Sequence, residues 1–336
     1  MRSLKIFTWH VHGSYLYYLA HIPHEIFIPV NRDRSGFCIG RTPSYPWPDN
    51  LKEVPLESVR DLDIDCILYQ QAGNFRDEGP RIFSDRQLRL PQIFLEHDPP
   101  REHPTDTKHP VDDPEILIVH VTPFNRLMWD CGRSPTRVIE HGVKAPPDIS
   151  YRGNLERGIV VVNNMQKRGR RLGLDIFQHA KSRVDLDLVG MGWKEAGGIG
   201  EIRHADLFAY QSHYRFFFNP IRYTSLGLAV CEAMMIGMPI VGLATTEMVT
   251  VVENGRSGYI DTDVDRLVDA MRHLIQTPKE AERMSREARQ VALERFALGR
   301  FIRDWCETLA DVTGHSWARQ PTGQALYEEK LEWQGA

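Results

Sequence analysis

"YRFFFNPIRYTSLGLAVCEAMMIGMPIVGLA", residues Tyr214–Ala244, decides how the rest of the chain is read. "YRFFFNP" has the aromatic and apolar content of a buried strand. Leu226 to Met235 reads as a helix, with Gly237 as its C-terminal stop and Pro239 opening the short strand "PIVGLA". Strand, helix, strand, with both strands apolar throughout, is the unit of a parallel sheet covered on both faces. Glu232 stands against this pattern: its neighbours at helical spacing are Leu228, Ala229, Met235 and Ile236. An unpaired charge in an apolar stripe is costly, so this carboxylate needs a partner.

The alternation extends in both halves of the chain. "RGIVVVNN", "VDLDLVGMG" and "YRFFFNP" read as strands, separated by the helices "LGLDIFQHAK" and "DLFAYQSH". Upstream, "VKAPPDISYRGNLER" (143–157) breaks the pattern with proline, glycine and charge, and reads as a linker. Before it come the strands "LKIFTW", "HEIFIPV", "IDCILYQ", "PQIFLEH" and "EILIVHVT", and the helices "YLYYLAH", "ESVRDL" and "FNRLMWDCG". The stretch leading up to Trp47 is Pro-rich and reads as irregular. The expected fold class is α/β: two doubly wound, Rossmann-like domains, residues 1–145 and 146–315, followed by a tail or helix over 316–336. A length of 336 residues suits two domains. Ligands of such sheets bind beyond the carboxyl ends of the strands, so the loops after strands are the candidate sites.

Composition narrows the function classes. At 42% hydrophobic and 26% charged residues the chain reads as globular, and its net charge of −4 gives no overall pull toward nucleic acid or an anionic membrane. Any anion site must be local. Cys38, Cys66, Cys131, Cys231 and Cys306 are scattered without a CxxC pair, the pattern of reduced thiols. The first residues carry no signal-peptide pattern, and no stretch approaches the ~20 apolar residues of a membrane span. The expected location is cytoplasmic, with a peripheral position at the inner membrane face as a variant. "LERFALGRFIRDWCETL" places Phe296, Phe301, Trp305 and Leu309 on one side of a helix. Packing against the domains is the commoner use of such a face; docking on a membrane surface is the alternative.

Four loops hold candidate chemistry. "QKRGRR" lies between a strand and a helix, where unpaired N–H groups and the helix dipole favour an anion; Arg168, Arg170 and Arg171 are the candidate phosphate ligands. "WHVHGSY" follows the first strand, and Gly13 and Ser14 permit close backbone approach to a ligand. "FLEHDPP" puts His97 at a strand's carboxyl end. His103 and His109 follow, but the prolines among them prevent a common helical face and their spacing matches no zinc pattern, so no metal site is expected. Thr224, Ser225, Leu226 and Gly227 form the turn before the quoted helix, whose free N–H groups suit sugar hydroxyls. Glu232 has two readings: it accepts hydrogen bonds from a vicinal diol such as a ribose, or it pairs structurally with an arginine such as Arg222.

The ordering of these motifs resembles the retaining, metal-independent glycosyltransferases of GT-B architecture, especially the large family 4 group. "EAMMIGMPIV" nearly repeats that family's Glu-Ala-Met, glycine, Pro-Val-Val layout. "VVENGRSGYI" is similar to its Ile-Val-x-x-Gly-x-x-Gly-Tyr segment, "IVVVNNMQKRGRRLGLDIF" to its diphosphate-holding strand and loop, and "RVIEHGVK" to its interdomain junction, with His141 where Asn is usual. The likeness is strong over 137–262 and looser before. It implies two domains facing a central cleft, and a donor of UDP or GDP type bound without a cofactor or metal. It further implies a glycan or lipid-linked glycan acceptor. Glu232 would hold the ribose, the arginines and Gly13 the diphosphate, His97 and the 224–227 turn the donor sugar. Arg222 joins the donor site by likeness to members reading Pro-Leu-Arg. Two departures stand out: Thr224 replaces the first of the family's paired glutamates, and Asn164 replaces an arginine. The rival readings are a donor-binding but inactive subunit and an NAD-dependent oxidoreductase. The latter lacks a GxGxxG after the first strand.

Overall fold

The structure is a computed structural model and describes residues 2–315. The expected 316–336 tail lies outside the described residues. One sheet holds β1 (Lys5–Phe7), β2 (Glu25–Val30), β3 (Leu51–Pro55), β4 (Cys66–Tyr69), β5 (Gln92–Glu96), β6 (Ile116–His120) and β7 (Thr136–Val138). The other holds β8 (Leu155–Val161), β9 (Leu186–Val189), β10 (Tyr214–Asn219), β11 (Ile240–Leu243) and β12 (Gly258–Asp261). Their orders are β3-β2-β1-β4-β5-β6-β7 and β12-β11-β10-β8-β9, and every pairing is parallel. Two doubly wound sheets result, as expected.

The central strands are apolar because both their faces are covered. Phe216, Phe217 and Phe218 of β10 point alternately to opposite faces and all are buried. Strand order reverses between β1 and β4 in the first sheet and between β8 and β10 in the second. At those switch points consecutive loops leave in opposite directions and open a crevice.

Several features differ from expectation. β3 falls just past the irregular stretch, where no element was expected, and β7 overlaps the start of the expected junction "RVIEHGVK". Both are edge strands, paired on one side only, where lysine, glutamate and proline are tolerated and the hydrophobic signal fades. The third concerns the domain boundary. The helix Leu298–Thr313, expected with the second domain, packs on the first. Trp305 Nε1 donates to the Tyr15 hydroxyl at 3.1 Å, Arg137 reaches Thr308 and Asp311, and Arg300 bonds the carbonyls of Glu140 and His141. Gly142 admits this helix, since a Cβ there would meet the Phe301 ring. Phe296, Phe301, Trp305 and Leu309 are all fully buried, so this aromatic face serves packing.

Candidate active site

Loops after β1, β4 and β5 from the first domain meet loops after β8 and β10 from the second. Between them lies a cleft of about 930 Å³. Direct bonds hold the two sides in register: Ser225 Oγ donates to the His97 carbonyl at 2.7 Å, the Tyr223 hydroxyl to the Pro100 carbonyl at 2.9 Å, and His141 Nε2 to the Leu226 carbonyl at 2.9 Å.

Of the residues singled out in the sequence, Gly13, Ser14, His97, Arg168, Thr224, Ser225 and Leu226 line this cleft. Gly13 begins the helix Gly13–Leu19, and a Cβ there would lie 2.7 Å from a Tyr45 ring carbon. The Tyr45 hydroxyl in turn pairs with Ser14 Oγ at 3.0 Å. His97 directly follows β5, with its ring against His12 and Tyr15. Burial holds its pKa well below the ordinary histidine value, and neighbouring His12 and His141 push the same way.

The basic loop divides. Asn164 adopts a left-handed backbone (φ 53°) and starts one helical turn, Met165–Arg168, which delivers Arg168 to the cleft. Gly169 and Gly173, both at positive φ, then redirect the chain. Arg170 consequently faces solvent and pairs with Asp175 at 2.5 Å. Arg222 takes the same carboxylate in a fork, at 2.6 and 2.8 Å, and donates to the Arg170 carbonyl. These two arginines brace the loop and do not line the cleft. Arg171 is half-buried; burial lowers its pKa, and the nearby charges of Arg101 and Arg168 lower it further against the pull of Asp98.

Glu232 is buried, and its partner is not Arg222. Tyr18 donates its hydroxyl to Glu232 Oε1 at 2.8 Å, and His204 Nε2 reaches the same oxygen at 2.8 Å. Tyr18 comes from the first domain, so the bond spans the interface. Neither Glu232 nor Gly227 lines the cleft; Gly227 caps the helix Leu228–Met235 instead. His109, once grouped with His97 and His103, packs beside Glu96 at 3.4 Å. Among the described residues no three His, Cys, Asp or Glu side chains converge as metal ligands.

Sequence reasoning passed over Gln70, Arg101, Glu96 and Trp129, all on the cleft's first-domain wall. Position alone pointed to them, since each polar one lies at or after a strand's carboxyl end, a place that solvated residues share. Arg101 is paired with Asp98 and places a guanidinium opposite the basic loop.

Residues 156–277 match the family model described as glycosyl transferases group 1. No curated protein matches the chain. Sucrose-phosphate synthase from Thermosynechococcus elongatus aligns over 94% of this chain and 100% of its own, with TM-score 0.66 and 15% identity. HepE from Anabaena, solved in complex with UDP and glucose, aligns over 91% and 99%, with TM-score 0.65 and 14% identity. AviGT4, a glycosyltransferase involved in avilamycin A biosynthesis, aligns over 94% and 100%, with TM-score 0.61 and 16% identity. Likeness at such identities speaks for the fold. Fold and family match agree: the chain has the two-domain GT-B fold, and residues 156–277 of its second domain match the group 1 glycosyltransferase model.

Proposed function

We propose that the protein is a retaining, metal-independent glycosyltransferase. It moves a sugar from a UDP- or GDP-type donor to a hydroxyl of a glycan or lipid-linked glycan, in the cytoplasm. One observation carries this reading: the switch points of both sheets open on one cleft, which combines Arg168 and Arg101 with the Thr224–Leu226 turn and His97. As the bond from the anomeric carbon to the diphosphate breaks, negative charge grows on the leaving oxygen. Arg168 and Arg101, which line the cleft, would neutralise it, and this lowers the barrier without a proton donor. The acceptor oxygen then bonds to the anomeric carbon on the same face, and its proton passes to the departing phosphate. Glu232 would hold the ribose once Tyr18 and His204 release Oε1. The aromatic face of the helix Leu298–Thr313 is buried, so a peripheral membrane contact would have to use another surface.

The occupied Glu232 and the absent first glutamate at Thr224 favour a second reading, a donor-binding subunit without turnover. Nucleotide release from a panel of UDP- and GDP-sugars, with glycan acceptors and with EDTA, separates the two. Release that persists in EDTA and vanishes in Glu232→Ala supports the transferase. Donor binding with no release for any acceptor supports the subunit, and release that requires a divalent cation overturns the metal-independent mechanism.

A further inference from the structure

Gln70 lies just past β4, at the first sheet's switch point, and is 3% exposed. Its amide has only one allowed orientation. Nε2 donates to the Trp9 carbonyl at 2.7 Å, and a carbonyl can only accept. Nε2 also donates to Thr8 Oγ1 at 2.8 Å, whose own proton goes to the Leu68 carbonyl at 2.8 Å. Oε1 is therefore the atom facing His97 Nε2, at 2.9 Å, and it too can only accept. The proton of that bond must sit on His97 Nε2. In a neutral ring, Nδ1 then carries a lone pair. Nδ1 has no hydrogen bond among the described residues and is not sealed from solvent, and His97 lines the cleft. The groups around the ring agree with a neutral state: the His12 and Tyr15 rings make T-shaped contacts with it at 4.3 and 4.8 Å, and burial, with His12 and His141 nearby, disfavours a charge on it.

We propose that Gln70 is a positioning residue: anchored by Thr8 and Trp9, it fixes His97 as the Nε2–H tautomer, so that Nδ1 accepts a hydrogen bond from a hydroxyl of the donor sugar. His97 is then a sugar-reading acceptor and not an acid that protonates the leaving group. The sugar half of this statement rests on the transferase reading; the tautomer half does not.

The test uses the full chain labelled with ¹⁵N-histidine, with the His97 signal identified by its loss in His97→Gln. The expected spectrum at pH 7 shows a protonated Nε2 and an unprotonated Nδ1; a protonated Nδ1, or a charged ring, overturns the proposal. Gln70→Glu keeps the side-chain volume and should move the His97 titration upward, since a carboxylate then faces Nε2. An unmoved titration means that Gln70 only fills space. In calorimetric titrations Gln70→Leu should bind UDP as the parent does but UDP-glucose about tenfold more weakly, the loss of one well-placed hydrogen bond. Equal weakening of both ligands sinks the sugar contact. Absence of UDP binding in the parent protein counts against a UDP donor, while the spectra still decide the role of Gln70.

Discussion

Arg168 and Arg170 are two residues apart and have different surroundings. Arg168 lines the cleft; Arg170 is 77% exposed along its side chain and tied to Asp175. Electrostatic stabilisation of a leaving group requires a charge fixed where the new charge forms, and only Arg168 meets that condition. Arg168→Ala should lower turnover about a hundredfold or more with little change in thermal stability. Arg170→Ala should stay within about twofold of the parent, as expected of an exposed pair; steady-state nucleotide release measures both. His141 makes a second prediction at this scale. Burial pushes its pKa down to about 4 from an ordinary 6.5. Between those pH values the unfolded chain takes up a proton that the folded ring refuses. Stability therefore rises with pH across that window and is level above it. The slope from one such group approaches about 1.4 kcal/mol per pH unit. His141→Asn retains a donor for the Leu226 carbonyl and removes this contribution. The difference in denaturation midpoint between pH 5 and pH 7 should shrink; an unchanged difference would show that His141 titrates normally.

At the scale of elements, the Leu298–Thr313 helix does the most unexpected work. Trp305 is fully buried between this helix and Tyr15, with its indole N–H satisfied. Trp305→Ala should destabilise the protein by about 3–5 kcal/mol, read by urea denaturation. A loss under about 1 kcal/mol would mean that the helix is only loosely docked. The same scale explains what was legible in advance. β1, β2, β4, β5, β6, β8, β9, β10 and β11 were all visible as apolar runs. Three edge strands, β3, β7 and β12, were not, because these short one-sided strands mix charge, proline or glycine into the apolar pattern. In the site, Gly13, His97, Arg168 and the Thr224–Leu226 turn could be found because each follows a strand within a recognisable motif. Gln70 and Arg101 could not, because nothing in "YQQ" or "PPRE" distinguishes a buried, orienting amide or a cleft-facing guanidinium from a solvated one. The partner of Glu232 was out of reach for another reason. Tyr18 is 214 residues away, and only the docking of the two sheets brings it near.

For the whole molecule, the contact from Tyr18 and His204 to Glu232 is the feature that relates shape to ligand binding. Tyr18 is almost wholly buried, and the carboxylate beside it raises its pKa well above the ordinary tyrosine value, after burial itself. The hydroxyl thus stays protonated and keeps donating. If the ribose takes Glu232, this bond breaks on donor entry and its strength is subtracted from affinity. Tyr18→Phe should then bind free UDP or GDP about fivefold more tightly, as expected from about 1 kcal/mol of interaction relieved. Weaker binding would place the Tyr18 hydroxyl among the nucleotide's own contacts.

The return of residues 298–313 to the first domain also bears on synthesis. Chains generally fold in units as they emerge, N-terminal first. Here the first domain leaves the ribosome with the seat for Trp305 and Phe301 uncovered, and the segment that fills it is made only after the second sheet. Tyr15 and its neighbours must wait through the making of the entire second sheet. A nascent chain halted near residue 290 would therefore hold an unfinished first domain, open to chaperones or proteases until residues 298–313 arrive.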